Sequence, residues 1–379
     1  MKKSLLITID YPPTTGGVAN YWSNLAANMP AESFCVLAPD DENSVRFDKR
    51  QDYLIYRRCL FTCKKWRWPK WLPIFMHTKN IIKRENIEKI VVTHILPVGT
   101  VALLMKLLYK IPYVVSMHGL DVSYATVSLR KRLLSKLILR FSDTIIVNSN
   151  YTKNLMLKNL CDKCESKTKI IYPCPNVSYQ ELADQDLNLF KKDNKLEDKK
   201  VLLTVARLVR RKGQDMVIKS LAKIKESIPN VVYLIVGRGK EDVRLKKMVD
   251  ELGLREQVMF FDDIKNKELP FFYHVTDAFI MPSRKLDDGD IEGFGIVYLE
   301  ANLYTLPAIA GNVGGAPEAV IHNQTGLVVD PEDENNIAKA VIELLSDKEK
   351  SNWFGQKGKE RVSEEFCWDK QADKLKELL

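Results

Sequence analysis

Short apolar runs rich in β-branched residues alternate along the chain with longer amphipathic stretches. The runs occupy residues 5–9, 34–38, 89–93, 113–117, 144–148 and 169–172 in the first half, and residues 201–206, 231–236, 258–261, 277–281, 308–310 and 326–329 in the second. Residues 18–29, 72–84 and 129–141 are among the amphipathic stretches between them. Continuous apolar strands separated by helices are typical of parallel sheets covered on both faces. Two such series predict two doubly wound α/β domains facing each other across a cleft.

The length and composition of the chain agree with two domains. Of its 379 residues, 45% are hydrophobic and 28% are charged, which excludes a fibrous, collagen-like or wholly disordered protein. Residues 173–200 are rich in Pro, Asn, Asp and Lys and have no long apolar face, which is typical of a linker. We therefore expect a first domain at residues 1–175, a linker at 176–200, a second domain at 201–362 and a C-terminal helix at 363–379 that returns to the first domain.

The sequence also indicates a cytoplasmic location. No stretch offers the roughly 20 apolar residues that a spanning helix needs, and the N-terminus lacks the cleavage site of a signal peptide. The seven cysteines are odd in number and widely spread, so we expect a reducing compartment and no disulfide scaffold. Cys161 and Cys164 have CxxC spacing without a second pair or a histidine cluster, which favours a polar loop over a metal or redox site.

The net charge of +9 is unevenly distributed. Residues 1–175 contain 27 Lys and Arg against 13 Asp and Glu, whereas the remainder contains 31 against 36. A basic first half can meet nucleic acid, anionic lipid or phosphorylated ligands. Because no nucleic-acid motif accompanies the charge, we expect lipid or phosphate as the partner.

The first candidate site is the loop that follows the first apolar run. It reads Asp-Tyr-Pro-Pro-Thr-Thr-Gly-Gly-Val and places Gly16 and Gly17 just before a helix. Exposed amides at a helix N-terminus bind anions. The spacing matches neither the dinucleotide-binding GxGxxG nor a P-loop. An ordinary turn remains an alternative.

The second candidate site is a basic turn after the strand at residues 201–206. It contains Arg207 and Lys212, a planar fork and a point charge that suit a diphosphate. A solvated basic turn is the alternative.

The third candidate site follows the strand at residues 277–281. Glu292 precedes a glycine turn, and Glu300 lies about two helical turns further on, so one carboxylate can face a reacting sugar while the other reaches a ribose diol. The amides of Phe294, Gly295 and Ile296 lie at the positive end of the helix. An acidic loop that caps an ordinary helix is the alternative.

These motifs together resemble glycosyltransferase family 4, whose members have the GT-B fold. Glu292 and Glu300 match the E-x7-E signature of retaining glycosyltransferases. The Gly16-Gly17 loop, the Arg207 and Lys212 pair and the segment Gly-Gly-Ala-Pro-Glu at residues 314–318 match the other landmarks. The resemblance covers nearly the whole chain. The sequence at residues 207–215 and 289–293 is most similar to that of the branch that contains bacterial phosphatidylinositol mannosyltransferases that use GDP-mannose.

The resemblance implies a role for each matching residue. Arg207 and Lys212 would neutralise the departing donor diphosphate, Glu292 would bind hydroxyls of the transferred sugar, and Glu300 would bind the nucleoside ribose. Gly16 and Gly17 would let the first domain close over the phosphates. His118, at the end of the strand at residues 113–117, would lie near the sugar and the β-phosphate.

Transfer with retention and without a metal ion fits these residues best. Fixed cations and helix-end amides stabilise charge that develops on the leaving diphosphate. No second carboxylate is placed as a nucleophile, unlike in hydrolytic glycosidases. Asp288-Gly289-Asp290 also reads as a DxD metal motif, but its setting directly before the E-x7-E helix belongs to the metal-independent architecture.

Two segments of the basic half suggest contact with a membrane. Residues 63–73 mix four cations with Trp66, Trp68 and Trp71, and residues 129–141 alternate a cationic with an apolar face. Both patterns suit an anionic bilayer surface and a peripheral protein. The alternative is that these helices cover the first sheet and expose Lys and Arg to water.

The predicted function is hexose transfer, with mannose from GDP-mannose as the favoured donor, to a glycan or lipid-linked acceptor in cell-envelope polysaccharide or glycolipid synthesis. The alternatives are a transferase that uses UDP-glucose or UDP-N-acetylglucosamine, a nucleotide-sugar epimerase, and a non-catalytic subunit of the same fold. No cofactor is expected.

Overall fold

The computed structural model describes residues 2–14, 16–62, 69–287 and 289–379 and divides the chain into two compact units. The first unit comprises Met1–Pro173 and Cys367–Leu379, and the second comprises Cys174–Phe366. Residues 176–200, for which the sequence predicts a linker, belong to the second unit and carry a helix at Asp184–Asp193. The ring of Phe190 in that helix stacks on Phe271 at 5.4 Å between centroids. An aromatic contact, which composition does not reveal, thus packs this segment on the second unit.

The first unit is built on a seven-stranded parallel sheet with the strand order β3-β2-β1-β4-β5-β6-β7. Its strands are β1 (Ser4–Ile7), β2 (Phe34–Pro39), β3 (Leu54–Arg58), β4 (Lys89–Val92), β5 (Tyr113–Met117), β6 (Thr144–Val147) and β7 (Thr168–Ile170). Its first seven helices are α1 (Gly17–Ala27), α2 (Val45–Asp48), α3 (Leu72–Glu85), α4 (Val98–Tyr109), α5 (Leu120–Thr126), α6 (Leu129–Phe141) and α7 (Asn150–Asn159).

The central strand β1 shows why the strands are apolar at every position. Leu5 and Ile7 pack into the core on one face of the sheet, and Leu6 packs into the core on the other. Successive side chains of a strand point to opposite faces, so a sheet covered on both sides needs apolar residues in continuous runs.

The second unit has a six-stranded parallel sheet with the strand order β10-β9-β8-β11-β12-β13. Its strands are β8 (Lys200–Val205), β9 (Val231–Val236), β10 (Val258–Phe261), β11 (Ala278–Met281), β12 (Ala308–Gly311) and β13 (Gly326–Val329). Its helices are α8 (Asp184–Asp193), α9 (Gln214–Ser227), α10 (Asp242–Glu251), α11 (Leu269–His274), α12 (Ile296–Leu303), α13 (Ala316–Ala319), α14 (Glu334–Ser346) and α15 (Lys348–Glu365). In both units the sheet has its first strand inside and its third at one edge. The prediction of two doubly wound domains is confirmed.

The last helix, α16 (Trp368–Leu378), belongs to the first unit. Ala372 and Leu375 are buried in the same core as Tyr21 and Trp22 of α1. The backbone amide of Tyr172 also donates a hydrogen bond of 3.0 Å to the side chain of Gln371. The C-terminus therefore completes the layer of helices on one face of the first sheet.

Cys161 and Cys164 are joined by a disulfide, which differs from the plain polar loop expected from the sequence. The Cα atoms are 5.4 Å apart because a 3-10 turn, Asp162–Lys167, follows Cys161 directly. Cys35, which is buried, and Cys59, which is exposed, carry free thiols. Within the described ranges, no helix combines the length and the apolar character needed to cross a membrane.

Candidate active site

The second unit carries a polar site at the point where its strand order reverses. β8 and β11 are paired inside the sheet, and their carboxyl ends lead into the basic turn Arg210–Lys212 and into residues 282–295. Ligands of doubly wound sheets bind at such a switch point. Gly213 lets the two segments meet, because its φ of 76° is left-handed and a Cβ there would lie 2.1 Å from the carbonyl oxygen of Pro282.

Two cations bind one carboxylate oxygen in this site. Arg211 Nη1 and Lys212 Nζ each lie 2.5 Å from Oε2 of Glu292, and Nε of Arg211 lies 3.0 Å from Oδ1 of Asp290. Burial opposes ionisation of Glu292, but the charges of Lys212 and Arg211 and their hydrogen bonds outweigh it and lower the pKa of Glu292 to about 2. Glu292 is therefore a fixed anion at neutral pH, and no described residue bonds its Oε1.

Lys212 and Arg207 differ in their surroundings. Burial, together with the like charges of Arg211 and Arg207, lowers the pKa of Lys212 despite the attraction of Glu292. Arg207 is exposed, and among the described residues it forms no ion pair. Lys212 is thus a buried cation that is tied to Glu292, whereas the guanidinium of Arg207 is available to an anionic ligand.

Glu300 lies in the second half of α12, and its carboxylate is held by protein groups. The backbone amide of Asn176 donates to Oε1 at 3.2 Å, and the hydroxyl of Tyr273 donates to Oε2 at 3.4 Å. Burial raises the pKa of Glu300, although these two hydrogen bonds act in the opposite direction. The two glutamates of the E-x7-E pattern therefore have opposite electrostatic environments.

α12 begins at Ile296, four residues after Glu292 in the chain, and its first backbone amides have no acceptor within the helix. Gly295 has a φ of 95° and directly precedes the helix, and no side chain of a described residue caps the helix there. The partial positive charge of a helix N-terminus favours an anion at this position. The amides of Phe294, Gly295 and Ile296 lie at this end of the helix, as the sequence predicted.

The Gly-Gly-Ala-Pro-Glu segment supports Glu292 from behind. The amide of Gly315 donates a hydrogen bond of 2.9 Å to the carbonyl oxygen of Glu292. A Cβ on Gly315 would lie 2.1 Å from the carbonyl oxygen of Gly293. Glycine is required at residue 315 because its backbone touches the backbone of residues 292 and 293. This contact fixes the backbone that carries Glu292.

The remaining predicted residues lie in the first unit. Nε2 of His118 lies 3.1 Å from the Ser116 hydroxyl, and the backbone amide of His118 donates to Asp121 at 2.8 Å. Burial, with the charge of His94 as a smaller cause, lowers the pKa of His118 to about 3, so its imidazole is neutral. Gly16 and Gly17 begin α1, and a Cβ on either would approach no described atom within 4 Å.

Sequence reasoning misses several charged residues of these sites. It favours Arg207 over Arg211, since a basic turn does not reveal which arginine points inward. Arg284 is buried and contacts Asp215 of α9 at 2.8 Å, which braces the chain after β11. Asp10 and His94 form an ion pair in the first unit. No local sequence motif predicts these pairs, because each joins residues that are far apart in the chain.

Asp290 of the DxD segment pairs with Arg211. The segment could bind a metal ion through both aspartates only if this ion pair broke. Among the residues that the structure describes, no cluster of three His, Cys, Asp or Glu side chains could hold a metal ion. Asp288 and residues 63–68 of the predicted membrane segment 63–73, with Trp66 and Trp68, lie outside the described residues. Trp71, the third tryptophan of that segment, is partly buried and packs against the core of the first unit, which does not fit a side chain that enters a membrane.

Two family models match consecutive parts of the chain. The model described as Glycosyltransferase Family 4 matches residues 15–178, and the model described as Glycosyl transferases group 1 matches residues 185–361. Together they cover most of both units.

Curated relatives and solved structures match over the full length. A GDP-mannose-dependent α-(1-6)-phosphatidylinositol monomannoside mannosyltransferase of Mycobacterium tuberculosis is 30% identical, with 100% of this chain and 98% of that protein covered. A GDP-mannose-dependent monoacylated α-(1-6)-phosphatidylinositol monomannoside mannosyltransferase of Corynebacterium glutamicum is 28% identical, with the same coverage. Anabaena HepE in complex with UDP has a TM-score of 0.82 at 19% identity and covers 99% of each chain, which shows a shared fold.

Proposed function

The chain belongs to glycosyltransferase family 4 and is a hexosyltransferase of the GT-B fold, and we propose that it transfers mannose from GDP-mannose to a lipid-linked acceptor. The observation that carries the site assignment is the binding of Lys212 and Arg211 to one oxygen of Glu292. The named relatives support GDP-mannose as donor and a phosphatidylinositol glycolipid as acceptor class.

The second unit binds the donor in this proposal. Arg207 and the amides at the start of α12 meet the diphosphate, while Lys212 supplies a buried positive charge next to it. As the bond to the sugar breaks, negative charge accumulates on the departing diphosphate, so these groups act most strongly in the transition state. Glu292 stays ionised, and its Oε1 accepts hydrogen bonds from hydroxyls of the sugar.

We propose retention through a front-face transfer. Glu292 is held by two cations through Oε2, which lowers its basicity and makes it a poor nucleophile and a poor base. The leaving phosphate is then the group that accepts the proton of the acceptor hydroxyl. The new bond forms on the face of the sugar ring from which the phosphate departs. We also propose that no metal ion is needed. Asp290 already pairs with Arg211, and the cations of the protein neutralise the diphosphate.

We propose that the first unit binds peripherally to the surface of an anionic membrane. Four apolar side chains on α6 recur every four residues and are 42 to 71% exposed: Leu129, Leu133, Leu137 and Phe141, here called the α6 stripe. Residues at this spacing lie on one helix face. Exposed cations line one side of the stripe at Arg132, Lys136 and Arg140, and α6 contains no acidic residue. An apolar row beside a row of cations fits the surface of an anionic bilayer.

A donor screen followed by product analysis tests the proposal. Thermal unfolding of the full chain should shift upward with GDP-mannose and with GDP, and less with UDP-glucose or UDP-N-acetylglucosamine. Radiolabelled mannose should then pass from GDP-mannose to phosphatidylinositol monomannoside. Conversion of the donor without an acceptor would indicate an epimerase, and binding without any transfer would indicate a non-catalytic subunit.

A further inference from the structure

The end of α15 supports the segment that carries Glu292 and leads into α12. We propose that Arg361 and Phe366, at this end of the helix, are positioning residues of the transfer reaction, which hold Glu292 and the first amides of α12 in the geometry that the departing diphosphate needs. The proposal rests on the proposed function and deepens it, because it identifies what fixes the diphosphate site.

Two glycines bring α15 into direct contact with the end of α12. A Cβ on Gly355 would clash with the carbonyl oxygen of Thr305, and a Cβ on Gly358 would clash with the side-chain amide of Asn302. Asn302 is itself buried in the last turn of α12. Glycine is the residue that permits such a close approach, because it has no side chain at the contact. The position of α15 is therefore fixed against α12.

Arg361 binds the last carbonyl groups of α13. Its Nη2 donates to the carbonyl oxygen of Glu318 at 2.9 Å, and its Nη1 donates to that of Ala319 at 3.1 Å. The last carbonyls of a helix have no partner within it, and a planar guanidinium can bridge two of them. Gly315, which precedes α13, donates its amide to the carbonyl oxygen of Glu292. Arg361 thus supports Glu292 through the short helix between them.

Phe366 supports the same segment through a second contact. The centre of its ring lies 5.6 Å from that of Phe294, and both side chains are buried. Aromatic rings attract each other at this separation. Phe294 directly precedes Gly295, the residue before α12, and its amide is one of those that the proposed function assigns to the diphosphate. Phe366 therefore holds the backbone that presents these amides.

Arg361 and Phe366 also hold each other. The guanidinium carbon of Arg361 lies 4.8 Å from the centre of the Phe366 ring, within the range of a cation–π interaction. Nε of Arg361 pairs with the carboxylate of Glu365 at 3.2 Å. All three nitrogens of the guanidinium therefore have protein partners, and its orientation is fixed. Two residues that contact each other thus support both Glu292 and Phe294.

This support matters because the diphosphate site acts through fixed geometry. Charge that develops in a transition state is stabilised by groups that are already in place, and a displacement of about 1 Å can cost about a hundredfold in rate. The guanidinium of Arg361 is engaged by protein groups and Phe366 is buried, so neither is placed to bind the donor. Both residues act through the groups that they position.

The test measures steady-state transfer by the full chain, with the nucleotide sugar that the donor screen selects. We expect Arg361→Gln to lower kcat about thirtyfold and Phe366→Leu about tenfold, while the donor KM changes no more than about threefold, because misplaced groups are felt mainly in the transition state. Arg361→Lys should restore part of the lost kcat, since an ammonium can reach one carbonyl but does not bridge two. The double variant should lose less than the product of the single losses, because both residues act on one segment.

Phe354→Leu is the matched control for the loss of buried volume. Phe354 lies in the same helix and is buried in the core of the second unit. This variant should lower the melting temperature about as much as Phe366→Leu does, but it should leave kcat unchanged. Lys357→Gln is the control for charge on α15, because it removes an exposed ion pair with Glu360 at 2.7 Å.

The affinity for inorganic pyrophosphate separates this proposal from the proposed function, because this probe has neither base nor sugar. Calorimetry should show an affinity that is about tenfold weaker in Arg361→Gln and unchanged in Phe354→Leu. A wild-type protein that does not transfer mannose would contradict the proposed donor and leave this comparison valid. Normal kcat and normal pyrophosphate affinity in Arg361→Gln, equal losses of kcat in Phe354→Leu and Phe366→Leu, or no pyrophosphate binding by the wild type would each overturn the proposal. If Arg361→Gln does not fold, Arg361→Lys, which keeps the charge, decides between these outcomes.

Discussion

Nζ of Lys212 lies 2.5 Å from Oε2 of Glu292, so two residues to which the sequence assigns different parts of the donor are bound to each other. The pair is buried, and it joins the end of β8 to the end of β11. A lysine aimed at the phosphates and a glutamate aimed at the sugar must lie close together, because the bond between phosphate and sugar is the one that breaks. In the proposed mechanism, the ion pair holds both groups around that bond.

Removal of either partner should abolish most of the turnover. We expect Lys212→Ala and Glu292→Ala to lower kcat at least about a hundredfold, as loss of a transition-state charge partner typically does. Lys200→Ala is the matched control, since Lys200 pairs with Asp277 at 3.0 Å near the opposite end of the same strands. The measurement is steady-state transfer from GDP-mannose. Near-normal rates in both variants would mean that the reaction takes place elsewhere.

Glu300 should matter more for donor binding than for the chemical step. We expect Glu300→Ala to weaken the affinity for GDP-mannose about tenfold while kcat falls by no more than about threefold, because a ribose contact is made equally in ground and transition states. Isothermal titration calorimetry gives the affinity. Tyr273→Phe removes the hydroxyl that donates to Oε2 but keeps the carboxylate, and it separates ribose binding from support of the fold. Equal losses in both variants would assign Glu300 a structural role.

The stability of the protein should depend on the ionisation of Glu292 in acid. Its pKa in the folded protein is about 2, below the value of about 4.3 in an unfolded chain, so its ionisation stabilises the fold above pH 4.3 and that contribution is lost as the pH falls toward 2. Compared with wild type, Glu292→Gln should therefore show a constant deficit in the free energy of unfolding above about pH 4.5 and a shrinking deficit below it. Urea unfolding between pH 3 and pH 7 measures this. A deficit that does not change with pH would show that packing, and not charge, is what the variant loses.

The sequence predicted the fold and the strand ends at which the candidate residues lie, because strand ends are visible as the points where apolar runs stop. It missed β3, an edge strand whose residues are only partly buried, so its apolar pattern is weak. It paired Arg207 with Lys212 for the diphosphate and did not single out Arg211, which binds Glu292 and Asp290. The 3-10 turn Arg210–Lys212 directs Arg211 inward to Glu292 and leaves Arg207 outside.

The Asp10 and His94 pair shows a more general limit of reading a single sequence. Asp10 begins the loop that holds Gly16 and Gly17 but was assigned no role there, and His94 belongs to no motif. They meet only because β1 and β4 are neighbours although β2 and β3 intervene in the chain. Strand order is set by the packing of whole helices and strands. A pair of residues on strands that are adjacent in space but distant in the chain therefore leaves no local sequence motif.

Transfer should proceed with retention and without a metal ion. We expect NMR of the product to show the anomeric configuration of the donor, and EDTA to leave the rate unchanged, because Arg211 binds Asp290 and the cations of the protein neutralise the diphosphate. Asp290→Ala should retain measurable activity that Mn²⁺ does not increase. An inverted product, or activity that chelation abolishes and Mn²⁺ restores, would contradict the mechanism.

The α6 stripe should bind the protein to anionic membranes. Replacing Arg132, Lys136 and Arg140 with Ser should weaken binding to anionic liposomes roughly a hundredfold, since each cation near such a surface contributes about 1 kcal/mol. Replacing Leu133 and Leu137 with Ser should weaken it at every salt concentration, whereas the contribution of the cations should fade as salt rises. Liposome co-sedimentation measures both effects. Replacing Lys219, Lys223 and Lys225 of α9 with Ser removes the same charge from the second unit and should leave binding unchanged. If the wild-type protein ignores anionic liposomes at low salt, the stripe serves another contact, and a soluble acceptor becomes the better hypothesis.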